Sequence, residues 1–301
     1  MKSLSWITNR HVISALCVTP LLLSCAYASA EDAAPATPVV AAAPAEPAPP
    51  YTLTYNLGLY SSYMFRGVDY SDGPAVQGGI DWAHSSGFYL GTWFSNLDPY
   101  GYGDDGAGKK GNHLETDFYG GYAHTFENGF GINLLGNYYK YLEGRNSLNN
   151  HKQDTFEASA ALSYKWFTYT YYNVLTDYYG QDEADNATLT VTGNRNTKYS
   201  DYHELKVNYT LPVGDLNFMA KVGYQTTKNL QGDEGDWAIG LNRNFSIPSA
   251  GKPIDGFNAG AYLTNTFAVK NELYYTYVNG PNGETRKANE GKLWFFVKRT
   301  W

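Results

Sequence analysis

Apolar and polar residues alternate along residues 51–98 in three segments that are joined by two turns. In the first segment, one face is apolar and comprises Leu53, Tyr55, Leu57 and Leu59. The opposite face is small or polar, and the same alternation recurs over residues 76–83 and 88–95. A period of two residues is the spacing at which side chains share one face of a β-strand. The pattern therefore predicts three strands, each with one apolar face.

The alternation continues to the last residue and predicts twelve strands. After the first three, we expect strands at about 113–124, 130–141, 153–165, 167–178, 200–211, 216–226, 236–245, 257–269 and 291–301. Short connections such as His84–Gly87 alternate with long polar ones such as 98–112. These features are typical of outer-membrane barrels. We predict an all-β, antiparallel transmembrane β-barrel with short periplasmic turns and long extracellular loops. Residues 271–278 either extend the strand at 257–269 or form a separate hairpin.

Aromatic residues are predicted to mark both membrane interfaces, because Trp and Tyr rings favour the headgroup region. At the periplasmic ends of the strands we expect Trp82, Phe88, Phe126, Phe130, Tyr164, Trp166, Phe167, Tyr209, Phe245, Phe257 and Trp301. At the outer ends we expect Phe65, Phe94, Tyr138, Phe156, Tyr178, Tyr224 and Trp237.

Residues 61–82 and 85–96 also resemble a known family, the TorF-type porins, which were first catalogued as a conserved bacterial family of unknown function. The resemblance is carried by Arg66-Gly67, Ser71-x-x-Pro74, Gly78-Gly79 and Gly87-Phe88-Tyr89-x-Gly91. It covers roughly the first third of the mature chain. The resemblance implies an outer-membrane channel for small solutes, and it does not identify the solute.

Composition narrows the class of protein further. The chain has 28 tyrosines and 31 glycines among 301 residues, which is far from an average soluble domain. Its mean hydropathy of −0.44 argues against a helical membrane protein. A formal net charge of −7 argues mildly against nucleic acid as a partner. Both cysteines, Cys17 and Cys25, precede residue 30, so we expect no disulfide framework in the mature chain.

Three regions are predicted along the chain. Residues 1–30 have the basic start, the apolar run Val12–Leu23 and the Ala28–Ala30 cleavage site of a secretory signal peptide. Lipidation of Cys25 is the alternative. Residues 31–50 are rich in proline and alanine and predict an extended periplasmic linker. Residues 51–301 form the barrel, which we expect in the outer membrane after export through the secretory pathway.

The carboxy-terminal residues predict part of the route to the membrane. Leu293, Phe295 and Val297 alternate outward and the chain ends on Trp301, which resembles the signal read by the barrel assembly machinery. Arg299 departs from that pattern, and we expect its side chain to snorkel to the headgroups. The expected partners are the assembly machinery and periplasmic chaperones, outer-membrane lipid and lipopolysaccharide, and small solutes, with no nucleic acid.

The sequence gives little support for motifs of enzyme or metal chemistry. Gly101–Gly106 matches GxGxxG, but no strand–turn–helix context surrounds it. The acidic residues Asp104, Asp105, Asp182, Glu183 and Asp185 could collect divalent cations, although a solvated loop is the simpler interpretation. His84-Ser85 lacks a base and an orienting group for a triad. We therefore expect no enzyme, no catalytic residue, no cofactor and no metal.

Polar residues that point inward are the candidates for function, because a lysine or arginine facing lipid at the bilayer midplane costs about 2–4 kcal/mol. The lumen-lining candidates are Arg66, Asp81, Glu115, Asp117, Glu157, Glu204, Lys206, Lys221 and Lys292. They either pair into a network that closes the barrel or surround a hydrated passage. Arg66 is expected on the first strand near the outer mouth, or else it shapes the first loop together with Gly67.

The function that these observations favour is a porin-like channel for passive diffusion of small hydrophilic solutes through a narrow polar lumen. Twelve strands lie between filled eight-stranded barrels and open sixteen-stranded porins. A closed structural or adhesin-type barrel that acts through its extracellular loops is the alternative, and an outer-membrane enzyme is the third possibility.

Overall fold

A computed structural model describes residues 49–98, 113–142, 144, 151–182, 196–279 and 284–301. In these residues twelve antiparallel strands close into one barrel, each paired with its neighbours along the chain. Strands are numbered β1 to β16 in chain order, and the barrel strands are β1 (Tyr51–Tyr60), β4 (Ala75–His84), β5 (Phe88–Asn96), β6 (Leu114–Thr125), β7 (Phe130–Tyr141), β8 (Thr155–Tyr164), β9 (Phe167–Val174), β10 (Asp201–Thr210), β11 (Leu216–Thr226), β12 (Glu234–Ile247), β13 (Ile254–Phe267) and β16 (Lys292–Thr300). The predicted fold class and strand number are confirmed.

Two small hairpins lie in the long connections. The first pairs β2 (Met64–Phe65) with β3 (Val68–Asp69), and the second pairs β14 (Thr276–Asn279) with β15 (Glu284–Lys287). Short 3-10 helices occupy Tyr178–Gly180 and Glu272–Tyr275. Residues 271–278 do not extend the strand at 257–269: Glu272–Tyr275 is a 3-10 helix, and the hairpin is formed by Thr276–Asn279 with Glu284–Lys287.

The first and last barrel strands meet and close the sheet. Gly58 pairs with Lys298 and Tyr60 with Phe296, in register with the pairing of β1 to β4 on its other side. Closure leaves no unpaired strand edge, which is the condition for a sheet to stand in hydrocarbon. The backbone of Trp301 also exchanges hydrogen bonds with Tyr55 at 2.8 and 2.9 Å, so both ends of the barrel sequence lie at the short-turn end.

The outer surface is apolar, and a girdle of aromatic side chains surrounds it at the short-turn end. Leu57, Leu90 and Leu162 are among the exposed apolar side chains of the barrel strands. Aromatic rings pair near the short turns: Phe130 with Tyr164 at 4.5 Å between centroids, Trp166 with Tyr209 at 5.0 Å, and Phe245 with Phe257 at 5.4 Å. An apolar outer face bordered by aromatic residues is the surface that a bilayer requires of a barrel.

Arg299 lies within this ring of aromatic residues. Its guanidinium carbon is 5.3 Å from the centroid of Phe257 and 5.2 Å from that of Trp301. Its Nε also donates to the carbonyl oxygen of Asp255 at 3.1 Å. The side chain therefore reaches the short-turn end of the barrel, where a charge can meet headgroups.

Two residues expected in the outer aromatic ring lie elsewhere. Phe65 belongs to the β2–β3 hairpin, where it packs edge-on against Tyr70 and Tyr139. Tyr178 is buried against Tyr179 in the 3-10 helix after β9. That placement for both was wrong, because both residues follow points where the chain leaves the barrel wall and folds over its mouth.

The same departure explains where β9 ends. The predicted strand ran to residue 178, whereas β9 ends at Val174. Tyr179 has a φ of 48°, a left-handed conformation that cannot continue a strand, and its ring is buried with those of Tyr139 and Tyr141. Alternation alone does not distinguish an aromatic residue facing lipid from one folded into the mouth.

Among the described residues, no helix has the length and apolar character needed to cross a membrane. The expected signal peptide and most of the Pro/Ala-rich linker lie in residues 1–48, outside the described residues.

Candidate functional site

The interior of the barrel is asymmetric: one side is lined by small side chains and the other is filled by large ones. On the first side, β6 to β9 contribute what we call the small-residue wall: Ala123, Gly131, Ser159, Ala161, Ser163, Thr168 and Thr170. These residues line a cavity of about 530 Å³. The cavity extends from the short turns, at Gly129 and Lys165, to the hairpin residues Met64–Gly67.

Aromatic side chains fill the opposite side. We call Tyr60, Tyr262, Trp294 and Phe296, from β1, β13 and β16, the aromatic wall. Tyr262 is fully buried, with ring centroids 4.9 Å from Trp294 and 5.8 Å from Phe296. The Tyr262 hydroxyl also accepts a hydrogen bond from Asn242 Nδ2 at 2.7 Å. Tyr60, Trp294 and Phe296 also border the cavity, so its open volume lies between this packed side and the small-residue wall.

The β2–β3 hairpin folds into the barrel and covers the long-loop end of the cavity. Its two central residues, Arg66 and Gly67, have φ values of 48° and 81°, and two-residue hairpin turns of type I′ require positive φ at both positions. A Cβ on Gly67 would approach Thr266 Cγ2 to 2.6 Å and Asp236 Cβ to 2.8 Å. The Arg-Gly pair is thus explained by a tight turn pressed against β12 and β13. Left-handed φ at Arg66 costs about 1–3 kcal/mol, so its contacts must hold it there.

Arg66 supplies those contacts across the lumen. One guanidinium nitrogen donates to both carboxylate oxygens of Glu157 at 2.9 Å, and another donates to Gln225 Oε1 at 2.9 Å. The guanidinium also lies 4.3 Å from the ring centroid of Tyr202 and 4.9 Å from that of Tyr172. Burial alone would lower the pKa of Arg66, but the charge of Glu157 raises it well above the usual value, so the side chain stays charged.

Strand register brings these partners together. Glu157 pairs with Asn137 across β7 and β8, while Tyr172, Tyr202 and Gln225 form one row across β9, β10 and β11. Tyr139 adds a hydrogen bond from its hydroxyl to Glu157 at 3.1 Å. Of the two expectations for Arg66, the position on the first barrel strand is wrong, because Arg66 forms the hairpin turn of the first loop together with Gly67. It lies in the hairpin turn, nearly buried, against the opposite wall.

A second charged group lies on β10 to β12. Lys206 and Lys221 are direct cross-strand neighbours, an unfavourable arrangement for two like charges. Glu204 compensates by forming ion pairs with Lys206 at 2.9 Å and with Lys221 at 3.4 Å, and Asp236 forms an ion pair with Lys221 at 2.9 Å. All four side chains are largely buried, so pairing is needed to keep them charged.

Glu115 and Asp117 lie next to each other on the inner face of β6, and both are almost fully buried. Tyr63 of the first loop donates its hydroxyl to Glu115 at 3.2 Å, and Asn137 Nδ2 donates to Asp117 at 3.1 Å. Their partners are thus neutral donors. With Glu157 on β8 they form what we call the carboxylate strip.

The hairpin is also fastened from outside the lumen. Arg286 of β15 lies 3.0 Å from Asp98, 3.3 Å from Asp72 and 3.7 Å from Asp69. Lys292 of β16 is also paired with Asp69. Burial alone would raise the pKa of Asp69, but hydrogen bonds and positive charge from Lys292 and Arg286 hold it below its usual value. These ion pairs connect the first and last loops over the mouth.

Of the nine residues predicted from sequence, the structure groups seven into pairs or networks. Arg66 meets Glu157, Glu204 meets Lys206 and Lys221, and Glu115 neighbours Asp117. Asp81 lies apart on β4, where it accepts from Asn56 at 3.4 Å and from Tyr119. Lys292 lies at the mouth with Asp69.

Sequence reasoning missed several residues that complete the site: Asp69, Asp98, Tyr172, Tyr202, Asp236 and Arg286. Asp236 had a usable signal, because it shares the inward parity of Asn242 on β12. Arg286 had none, since its partners come from distant loops.

None of the remaining candidates is seen at this site among the residues that the structure describes. Gly101–Gly106, Asp104, Asp105, Glu183 and Asp185 lie outside the described residues. Asp182 is buried, and its Oδ1 lies 3.3 Å from Nδ1 of His151. In the part of the chain that the structure describes, no group of three or more His, Cys, Asp or Glu residues is arranged to hold a metal ion.

Residues 44–301 match the family model "Bacterial protein of unknown function (Gcw_chp)". The chain belongs to the Gcw_chp family. A comparison with curated proteins gave no match. The family assignment covers the whole barrel and leaves its activity open, so function has to be argued from the lumen.

Among solved structures, the chain is similar to the KdgM porin, with 10% identity, a TM-score of 0.44, and coverage of 82% of this chain and 99% of that one. It is also similar to the COG4313 outer membrane channel from Pseudomonas putida F1, with 14% identity, a TM-score of 0.44, and coverage of 84% and 97%. A KdgM porin in complex with disordered oligogalacturonate gives 8% identity, a TM-score of 0.43, and coverage of 83% and 98%. At these values the likeness carries no argument about solute or mechanism.

Proposed function

We propose that this protein is an outer-membrane channel for passive diffusion of small hydrophilic solutes, and that the β2–β3 hairpin forms its constriction. The observation that carries the proposal is the cavity beside the small-residue wall, which extends from the short turns to Arg66. A barrel made only for mechanical support has no need of such a volume, whereas the aromatic wall shows that this chain can fill its lumen.

The wall chemistry supports the same function. Hydroxyl and amide groups from Ser159, Ser163, Asn133 and Asn208 line the cavity, together with the charged residues Glu204 and Lys206. Such groups replace part of the water shell of a polar solute without binding it tightly, as a diffusion channel requires. Five of the nine lumen-lining candidates, Arg66, Glu157, Glu204, Lys206 and Lys221, border the cavity and are part of this proposal. The resemblance of residues 61–96 to TorF-type porins agrees with it.

Orientation is part of the proposal. The short turns would face the periplasm and the long loops the exterior, as in outer-membrane barrels generally. Solutes would enter past the loops fastened by Arg286 and leave beside the short turns. Lipid, lipopolysaccharide and the barrel assembly machinery remain expected partners.

A closed barrel is the second candidate, because a specific observation favours it. The hairpin is held by Arg66 inside the lumen and by Arg286 and Lys292 at the mouth. If these contacts never release, the passage stays shut and the loops carry the function.

Electrical recording of the full protein in planar bilayers separates the two candidates. We would compare the native chain with a variant in which residues 63–70 are replaced by a short Gly/Ser linker, and with Arg299→Ala as an outward-facing control. A channel predicts discrete current steps that become several-fold larger in the hairpin variant and stay unchanged in the control. Absence of steps from both folded barrels would contradict the channel and favour the closed barrel.

A further inference from the structure

Among the described residues, the basic partner of the carboxylate strip comes from a loop rather than from the barrel wall. Glu115, Asp117 and Glu157 are 1%, 4% and 3% exposed. Within the described residues, the side chain that forms an ion pair with this strip is Arg66. By contrast, Glu204 is neutralised by lysines on its own and the next strand. Three buried carboxylates without a wall cation are costly unless a cation occupies the space beside them.

Polar atoms on the inner faces of β6, β7 and β9 also lack hydrogen-bond partners among the described residues. Asn137 Nδ2 donates to Asp117 Oδ2, which leaves Asp117 Oδ1 and Asn137 Oδ1 without a hydrogen-bond partner among the described residues. Thr170 Oγ1 is likewise unpartnered. All three residues are more than nine-tenths buried, and Asn137 and Thr170 line the cavity. Buried acceptors without donors favour a ligand that is rich in N–H groups.

The position that Arg66 fills has the form of a binding site for a planar cation. Glu157 accepts twice from the guanidinium, and Gln225 accepts once. Tyr202 and Tyr172 present their rings at 4.3 and 4.9 Å. Separate acceptors for two nitrogens of one planar cation, with aromatic faces beside it, match guanidinium better than ammonium. Apart from Arg66 these groups lie on barrel strands, so the site remains when the hairpin leaves.

We propose that the barrel contains a binding site for solutes with a guanidinium group, and that Arg66 is the occupant that the chain itself supplies when the passage is closed. The inference rests on the proposed channel function and names its solute class: small cations that carry a guanidinium. Such a solute would compete with Arg66 for Glu157, Gln225 and the two tyrosine rings. Competition at the constriction would couple the presence of solute to release of the hairpin.

Chemical rescue tests the site directly. In the Arg66→Ala protein, guanidinium chloride at low millimolar concentration should raise the melting temperature saturably. Urea, which has nearly the same shape and no charge, should have no such effect, and neither should equimolar sodium chloride. The double variant Arg66→Ala/Glu157→Gln should lose the response. If Arg66→Ala does not fold alone, the folded yield becomes the readout, and guanidinium but not urea should increase it.

The results separate this inference from the channel itself. Saturable guanidinium binding in melting experiments with no current from any variant would retain the site and contradict the channel. Current from Arg66→Ala that guanidinium fails to reduce, together with no shift in melting, would retain the channel and overturn the site. Equal effects of guanidinium and urea, or a guanidinium response that persists without Glu157, would also overturn it.

Discussion

The two sides of this lumen differ in the size of the side chains that their strands point inward. On β8 the inward positions after Glu157 are Ser159, Ala161 and Ser163, whereas on β16 they are Trp294, Phe296 and Lys298. Outward positions on both strands are similar, with exposed Leu162 and Leu293. The cavity therefore lies between a wall of small side chains and a wall of large, packed ones. In a twelve-stranded barrel, side-chain size at inward positions decides whether a passage exists.

The largest effect should come from filling the small-residue wall. In the Arg66→Ala background, Ala161→Trp places a large ring in the cavity and should reduce single-channel current nearly to zero. Ala160→Trp is the matched control, because Ala160 is exposed on the outer face of the same strand. Equal currents from Ala161→Trp and its control would show that the passage does not follow this wall.

Removing a ring from the aromatic wall should lower the free energy of unfolding. Trp294→Ala removes a ring that stacks on Tyr262 and whose Nε1 donates to Thr264 at 3.1 Å. Large-to-small changes of this kind cost about 3–5 kcal/mol. Urea unfolding in lipid vesicles should show a loss of this size, and Phe295→Ala, at an exposed outer position, should show a smaller one. A negligible loss from Trp294→Ala would mean that this side of the lumen is not a packed core.

A smaller effect is expected from Gly67→Ala. The added methyl group would collide with Thr266 and Asp236 and would also occupy a left-handed conformation. The hairpin should loosen and mean current should rise, by less than after its removal. Gly251→Ala is the control, since a Cβ there meets nothing. Unchanged current would show that the hairpin does not depend on close contact with β12 and β13.

The smallest effect concerns pH. Because the pKa of Asp69 is lowered in the folded protein, its carboxylate stabilises the fastened loops at pH values above its ordinary pKa of 3.8. This contribution is lost as the pH falls through the lowered value. Protease cleavage within the first loop should increase in that acidic range for the native chain. The Asp69→Asn variant should be cleaved readily at neutral pH, and its cleavage rate should change little on acidification. A pH profile of cleavage like that of the native chain would argue against the role of Asp69.

The barrel was predictable because lipid on one face and a polar lumen on the other impose alternation on every strand. The inward positions of Glu115, Glu157, Glu204 and Lys221 follow from that parity alone. The hairpin was not predictable: residues 61–74 look like a polar connection, and their fold depends on contacts with β8, β11 and β12. Arg66 was singled out through its motif, but its partner Glu157 lies 91 positions away. Such pairings appear only once the barrel is closed.

The most direct test of the account uses cysteines, since the native chain has none after residue 25. Ser159→Cys on the small-residue wall and Asn258→Cys on the packed side would each be combined with Arg66→Ala and exposed to a charged thiol reagent during single-channel recording. The account predicts stepwise loss of current for Ser159→Cys and no change for Asn258→Cys, which is 3% exposed. Equal modification of both, or loss of current only with Asn258→Cys, would contradict it.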